Sequence, residues 1–118
     1  ELKPIDAAHM KLMLNRKGWD SDSVSTSSEL MHKMATGNYE LVLISNNLAD
    51  SNAEELAREI RKLHKNLPII AITSYSIEAE KRKLLQAGAD ICLTKPVYNH
   101  TLNDVISNIT GQENILFA

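Results

Sequence analysis

The chain has one cysteine, Cys92, so no disulfide can close within it. That usage fits a reducing, cytoplasmic compartment, with Cys92 as a small buried strand residue. No apolar run approaches the roughly 20 residues of a membrane span, and no signal-peptide pattern is present. There is no basic excess: 13 Lys and Arg stand against 15 Asp and Glu, for a net charge of −2. A nucleic-acid module normally gathers surplus basic charge on one face, so neither nucleic acid nor a membrane is an expected partner. His9, His32, His64 and His100 are scattered without paired metal-ligand spacing. None stands in the order or context of a known hydrolase triad. Without a nucleophile and base pair, a small-molecule enzyme is not expected.

What remains is an ordinary globular composition. The 118 residues make one expected domain, residues 1–118. A chain of this size buries about two-thirds of its unfolded surface. No repeat, low-complexity tract or linker divides it.

Strand-like runs alternate with helix-length segments. Residues 4–17 carry Met10, Leu12, Met13 and Leu14, and Gly18 stops them. Residues 19–25 form a short polar strand candidate. Ser27 or Ser28 is placed to cap a helix to Thr36, and Gly37 ends it. Residues 41–45 are a continuous apolar run, as expected of a strand covered on both faces. Residues 51–65 set Ala53, Leu56, Ile60 and Leu63 near one helical face. Residues 68–73 form a second apolar run. A charged helix over 77–87 closes at Gly88, which suits a C-cap. A short strand follows at 91–93, Pro96 breaks it, and a last helix spans 100–110. This alternation predicts a parallel sheet with helices on both faces.

Three stretches then stand out: Leu41-Val42-Leu43-Ile44-Ser45 with the loop and helix that follow, Ile69-Ile70-Ala71-Ile72-Thr73-Ser74, and Gly88-Ala89-Asp90-Ile91-Cys92-Leu93-Thr94-Lys95-Pro96-Val97. Together they resemble the receiver domain of two-component response regulators. The resemblance implies a flavodoxin-like, doubly wound five-stranded parallel sheet of order 2-1-3-4-5. A receiver opens with a buried strand that leads into an acidic pair, whereas this chain starts at Glu1-Leu2-Lys3-Pro4. Its end reads Ile115-Leu116-Phe117-Ala118. Joined to Glu1, those residues look like a receiver's opening. A circular permutation is expected, with the first strand supplied by residues 114–118 and 111–113 as the bridge. The alternatives are an apolar tail, or a strand inserted into a second copy to give a swapped dimer.

The resemblance also implies a site. Lys95 matches the lysine that pairs with phosphate, and Thr73 the switch hydroxyl. Asn47 matches the position whose backbone carbonyl ligates Mg²⁺, and Glu1 the first acid of the pair. The departures are larger. Ser45 stands at the acceptor aspartate, Leu2 at the second acid, Ala49 at a loop proline, Ala53 at a glycine and Cys92 at the switch aromatic. Of three carboxylates one remains, so Mg²⁺ binding is expected to be weak or absent. A serine hydroxyl is neutral and needs a base to accept phosphate. The nearest spare acid, Asp50, lies in the loop and out of register. Lys95 is then left to bond Glu1, to bind an anion or to point outward.

Other residues have structural readings. Met10, Met13, Met31 and Met34 at helical spacing suit core filling. Arg58, Arg61, Lys62 and Lys65 alternate with acids and read as a solvated face. The expectation is a pseudo-receiver that docks a histidine kinase, phosphotransfer protein or response regulator. Its docking face would be residues 77–86, Cys92 and 98–106. A phosphoryl-accepting receiver with an altered site is the alternative. A third reading is a deliberately permuted chain without independent function.

Overall fold

The computed structural model describes residues 7–16, 18–45, 50–73, 78–95, 97–109 and 114–117. In chain order the elements are α1 (Ala7–Arg16), β1 (Asp20–Ser23), α2 (Ser27–Thr36), β2 (Leu41–Ser45), α3 (Ala53–Leu63), β3 (Ile69–Thr73), α4 (Glu78–Ala87), β4 (Ile91–Thr94), α5 (Asn99–Ile109) and β5 (Asn114–Phe117). The five strands form one sheet of order β1-β5-β2-β3-β4, and every pairing is parallel.

The last strand in sequence lies inside the sheet. β5 pairs with β1 through Ser21↔Ile115 and Asp22↔Leu116, and with β2 through Leu41↔Ile115 and Val42↔Leu116. Counted from β5 as the first strand, the order is 2-1-3-4-5. Ile115 and Leu116 are fully buried, as a strand with a neighbour on each side and helices above and below requires. This chain completes its own sheet with residues 114–117.

Alternation along the strands divides the core into two layers. Val42, Ile44, Ile69, Ala71 and Leu116 face α2, α3 and α4, which contribute Leu30, Leu56, Ile60 and Leu84. Leu41, Leu43, Ile70, Ile72 and Ile115 face α1 and α5, which contribute Leu14, Leu102 and Ile106. Met13 and Met34 fill core positions and Met31 packs at the edge.

Three expectations are corrected. Leu63 is 69% exposed, and Ala57 completes the buried stripe of α3 with Ala53, Leu56 and Ile60. The helix ends at Leu63, so that side chain leaves the core just as the turn opens. Of the apolar residues on α1, Leu12 is exposed while Met13 and Leu14 are buried. The N-cap of α2 is Thr26, not Ser27 or Ser28; its side chain accepts a hydrogen bond from the Glu29 amide. Cys92 is half-buried rather than enclosed, because β4 is an edge strand.

The two sheet edges differ. β1 is Asp-Ser-Asp-Ser, and charge on an edge discourages pairing with another chain. Tyr39 donates a 2.6 Å hydrogen bond from its hydroxyl to Asp22, tying the approach to β2 onto that edge. Burial, with Asp22 adding to it, pushes the Tyr39 phenol up to about 12.

Candidate functional site

Ligands of open α/β sheets bind outside the carboxyl ends of the strands. Three sequence-predicted residues meet at that edge. Ser45 ends β2, Thr73 ends β3, and Lys95 directly follows β4. Register fixes their spacing: Ser45 pairs with Ile72, and Thr73 with Thr94. The Lys95 amide donates a 2.7 Å hydrogen bond to the Thr73 carbonyl. Adjacent strands lie about 4.8 Å apart, so Ser45 and the Lys95 backbone are separated by roughly 10 Å across β3.

Thr73 is fully buried, and Ser45 is half-buried. Lys95 is exposed. The Thr94 hydroxyl is buried without a hydrogen-bond partner, a cost of about 1–3 kcal/mol for such a group. Glu1 and Asn47 lie outside the described residues, as do Leu2 and Ala49. The three strand-end side chains offer two hydroxyls and an ammonium, with no carboxylate among them. Among the described residues no group of three or more His, Cys, Asp or Glu is arranged to hold a metal ion. Mg²⁺ wants carboxylate oxygens, so the described donors do not fit it.

Asp50 is committed elsewhere. Its Oδ1 accepts from the Ser27 amide at 2.7 Å. Its Oδ2 accepts from the Ser27 hydroxyl at 2.9 Å, the Ser28 amide at 3.3 Å and the Ser28 hydroxyl at 3.2 Å. The Ser27 amide bond contributes most to holding the Asp50 carboxyl below its ordinary value, with the hydroxyls and the Ser28 amide adding to it. Asp50 therefore serves the N-terminus of α2. The serine pair opening a helix was the one hint; the acid 22 and 23 residues away carried no local signature.

Arg61 was expected on a solvated face, and the structure corrects that. Its Nε and one terminal nitrogen donate to the Gly88 carbonyl at 3.2 and 2.7 Å. The other terminal nitrogen donates to the carbonyls of His64 and Lys65. Asp90 accepts from Arg61 at 2.9 Å and from the Ile69 amide at 2.8 Å. One guanidinium thus satisfies carbonyls at the ends of α3 and α4 and meets the start of β3. Arg58 does stay outside, paired with Glu54.

Cys92 lies away from the strand-end trio. It lines a shallow groove of about 380 Å³ with Glu78, Lys81, Arg82, Leu85, Asp90 and Ile91. Burial pushes its thiol up, Lys81 opposes the shift and Glu78 adds to it.

Comparison with known proteins agrees with this geometry. The profile described as "Response regulator receiver domain" matches residues 3–107. The sensor protein EvgS of Escherichia coli K12 is 28% identical over 106 residues, which is 90% of this chain and 9% of that protein. The sensor histidine kinase RcsC of Escherichia coli K12 is 27% identical over 94 residues, 80% of this chain and 10% of that protein. This chain therefore spans about a tenth of the length of those relatives. Among solved structures, a CheY-like receiver domain from Methanospirillum hungatei JF-1 superposes with a TM-score of 0.79 at 27% identity, covering 86% of this chain and 81% of that one. The response regulator TrrA of Thermotoga maritima, solved with Mg(2+)-BeF, gives 0.77 at 27% identity, with 87% and 88% covered.

The chain belongs to the response regulator receiver domain family. It is a signalling module of the two-component type. Receiver domains work with histidine kinases, phosphotransfer domains and response regulators. No helix among the described residues is long and apolar enough to cross a membrane.

Proposed function

We propose that this chain is a pseudo-receiver, a cytoplasmic protein-docking domain of a two-component relay that does not take up the phosphoryl group itself. The observation that carries this reading is Ser45 at the end of β2, where the family places its acceptor aspartate. A serine there has no negative oxygen to attack phosphohistidine, and the described donors at the strand ends lack the carboxylates that would hold Mg²⁺. Thr73 and Lys95 are remnants of the phosphate site, Glu1 and Asn47 remnants of the metal site, and Cys92 stands in place of the switch aromatic.

The same proposal reads the chain as circularly permuted. In support, the family profile stops at residue 107, yet the sheet receives its inner strand from Asn114–Phe117. Exchange of β5 between two copies is the alternative use of that strand, and a monomeric mass in solution would exclude it.

Docking through α4, β4 and α5 is carried over from the fold. On this chain that face holds the groove beside Lys81, Arg82 and Leu85. A relay kinase, phosphotransfer domain or response regulator is the partner class, with no role for nucleic acid or lipid.

The test is intact-mass spectrometry after incubation with Mg²⁺ and acetyl phosphate. No phosphoryl adduct is expected. An acid-stable or acyl-type adduct on the folded chain would favour the second reading, a receiver with an altered acceptor, for which the retained Lys95 and Thr73 speak.

A further inference from the structure

The groove beside Cys92 has two walls. Helix α4 supplies Lys81, Arg82 and Leu85, strand β4 supplies Ile91 and Cys92, and Asp90 comes from the turn that joins them. That turn is Gly88-Ala89-Asp90. The Gly88 and Ala89 amides close α4 by donating to the carbonyls of Leu85 and Leu84, at 3.2 and 3.1 Å. The Asp90 amide then donates to the Ile69 carbonyl at 2.8 Å, and the chain enters the sheet. Gly88 makes the bend with a φ of +132°, a conformation open to glycine. The angle between the two walls is thus decided within three residues.

Arg61 grips both ends of that turn from α3. Two of its nitrogens donate to the Gly88 carbonyl, and one of these also donates to Asp90 Oδ2 at 2.9 Å. The same Asp90 oxygen accepts from the Ile69 amide at 2.8 Å. The remaining nitrogen is anchored on the carbonyls of His64 and Lys65 at the end of α3. The Arg61 stem also fills the space beside Gly88, where an added Cβ would lie 2.9 Å from the Arg61 Cβ. A guanidinium is planar and stays charged, so this fork has a fixed direction and does not titrate. Arg61 does not line the groove itself. It acts on the groove through Gly88 and Asp90.

We propose that Arg61 is the positioning residue of this groove: by holding Gly88 and Asp90 it fixes α4 against β4 and keeps the docking face in one shape without phosphate. The proposal rests on the docking reading, for which it supplies the fixed state. The clamp meets the start of β3 at Ile69, whereas Thr73 and Lys95 lie at the other ends of β3 and β4. The shape of the groove is then a constant of the fold and not an output of the strand-end site.

Cys92 is the single cysteine of the chain, so its alkylation by iodoacetamide on the intact protein reads the groove alone. A clamp that lets go uncovers the thiol and favours its reactive thiolate. Arg61→Ala is expected to speed alkylation at least about threefold under native conditions, the scale of a local opening. Arg61→Lys keeps the charge but loses the fork, and should lie between. Arg58→Ala removes the same charge from the exposed face of α3 and should change nothing. Leu14→Ala empties a fully buried site on α1, which packs beside β1 at the opposite edge of the sheet, and should leave Cys92 at its original rate. An unchanged rate in Arg61→Ala would overturn the proposal. So would equal acceleration in Leu14→Ala, since the loosening would then be that of the whole fold. Should Arg61→Ala not fold, the amide shifts of Lys81 and Leu85 in Arg61→Lys decide: they should move, and their staying in place would overturn the proposal in the same way. Failure of the pseudo-receiver reading registers separately, as a phosphoryl adduct on the unmutated chain.

Discussion

The guanidinium of Arg61 grips the carbonyl of Gly88 with two hydrogen bonds, 3.2 Å from Nε and 2.7 Å from a terminal nitrogen. Gly88 has a φ of +132°, and a Cβ added there would lie 2.9 Å from the Arg61 Cβ. The close approach of α3 to the end of α4 thus needs both an arginine on one side and no side chain on the other. Arg61→Ala leaves several carbonyls without their donor, and is expected to cost about 2–3 kcal/mol. Gly88→Ala meets strained backbone and a steric clash together, and is expected to cost about 1–3 kcal/mol. Urea denaturation checks both. The Asp90 contact adds less, because that carboxylate is half exposed and the pair is screened.

The C-terminal strand is expected to hold the domain together. Ile115→Ala and Leu116→Ala each empty a fully buried site on opposite faces of β5, one in each core layer. A loss of about 2–5 kcal/mol is expected for each. Leu63→Ala, on the exposed end of α3, should stay within about 0.5 kcal/mol of the original. Comparable losses at all three positions would show that β5 is not inside the sheet.

Tyr39 makes stability fall at high pH. Its phenol holds its proton more tightly folded than unfolded, so the bond to Asp22 contributes fully below pH 10 and is lost as pH rises toward about 12. Tyr39→Phe removes that ionisation. The stability difference between the two proteins should therefore shrink across this window, as followed by thermal unfolding monitored away from tyrosine absorbance.

Much of this fold was legible because its signals are local. Apolar runs such as Leu41–Ser45 and Ile69–Thr73 mark strands buried on both faces, and Gly37 and Gly88 mark helix ends. The inner strand at 114–117 was legible only through the resemblance, since three apolar residues in a row have no periodicity to read. The strand-end trio of Ser45, Thr73 and Lys95 followed from position in the motif, and the sheet register brings them to one edge. What could not be read were contacts of long sequence separation. Asp50 with Ser27, and Arg61 with Gly88 and Asp90, join residues 23 to 29 apart. The pattern of charges on α3 gave Arg61 the look of an ordinary surface residue. Nothing near Asp50 showed that its carboxylate would be taken up by another helix.

The pseudo-receiver proposal stands or falls on whether the strand-end site responds to phosphate. The most direct measurement is an amide NMR titration with Mg²⁺ and then beryllofluoride, which mimics an acyl phosphate by bonding to an aspartate. A pseudo-receiver gives a well-dispersed spectrum that does not change. Saturable shifts clustered at Ser45, Thr73 and Lys95 and extending to Cys92 would contradict it, because they would show a live anion pocket coupled to the edge of the sheet.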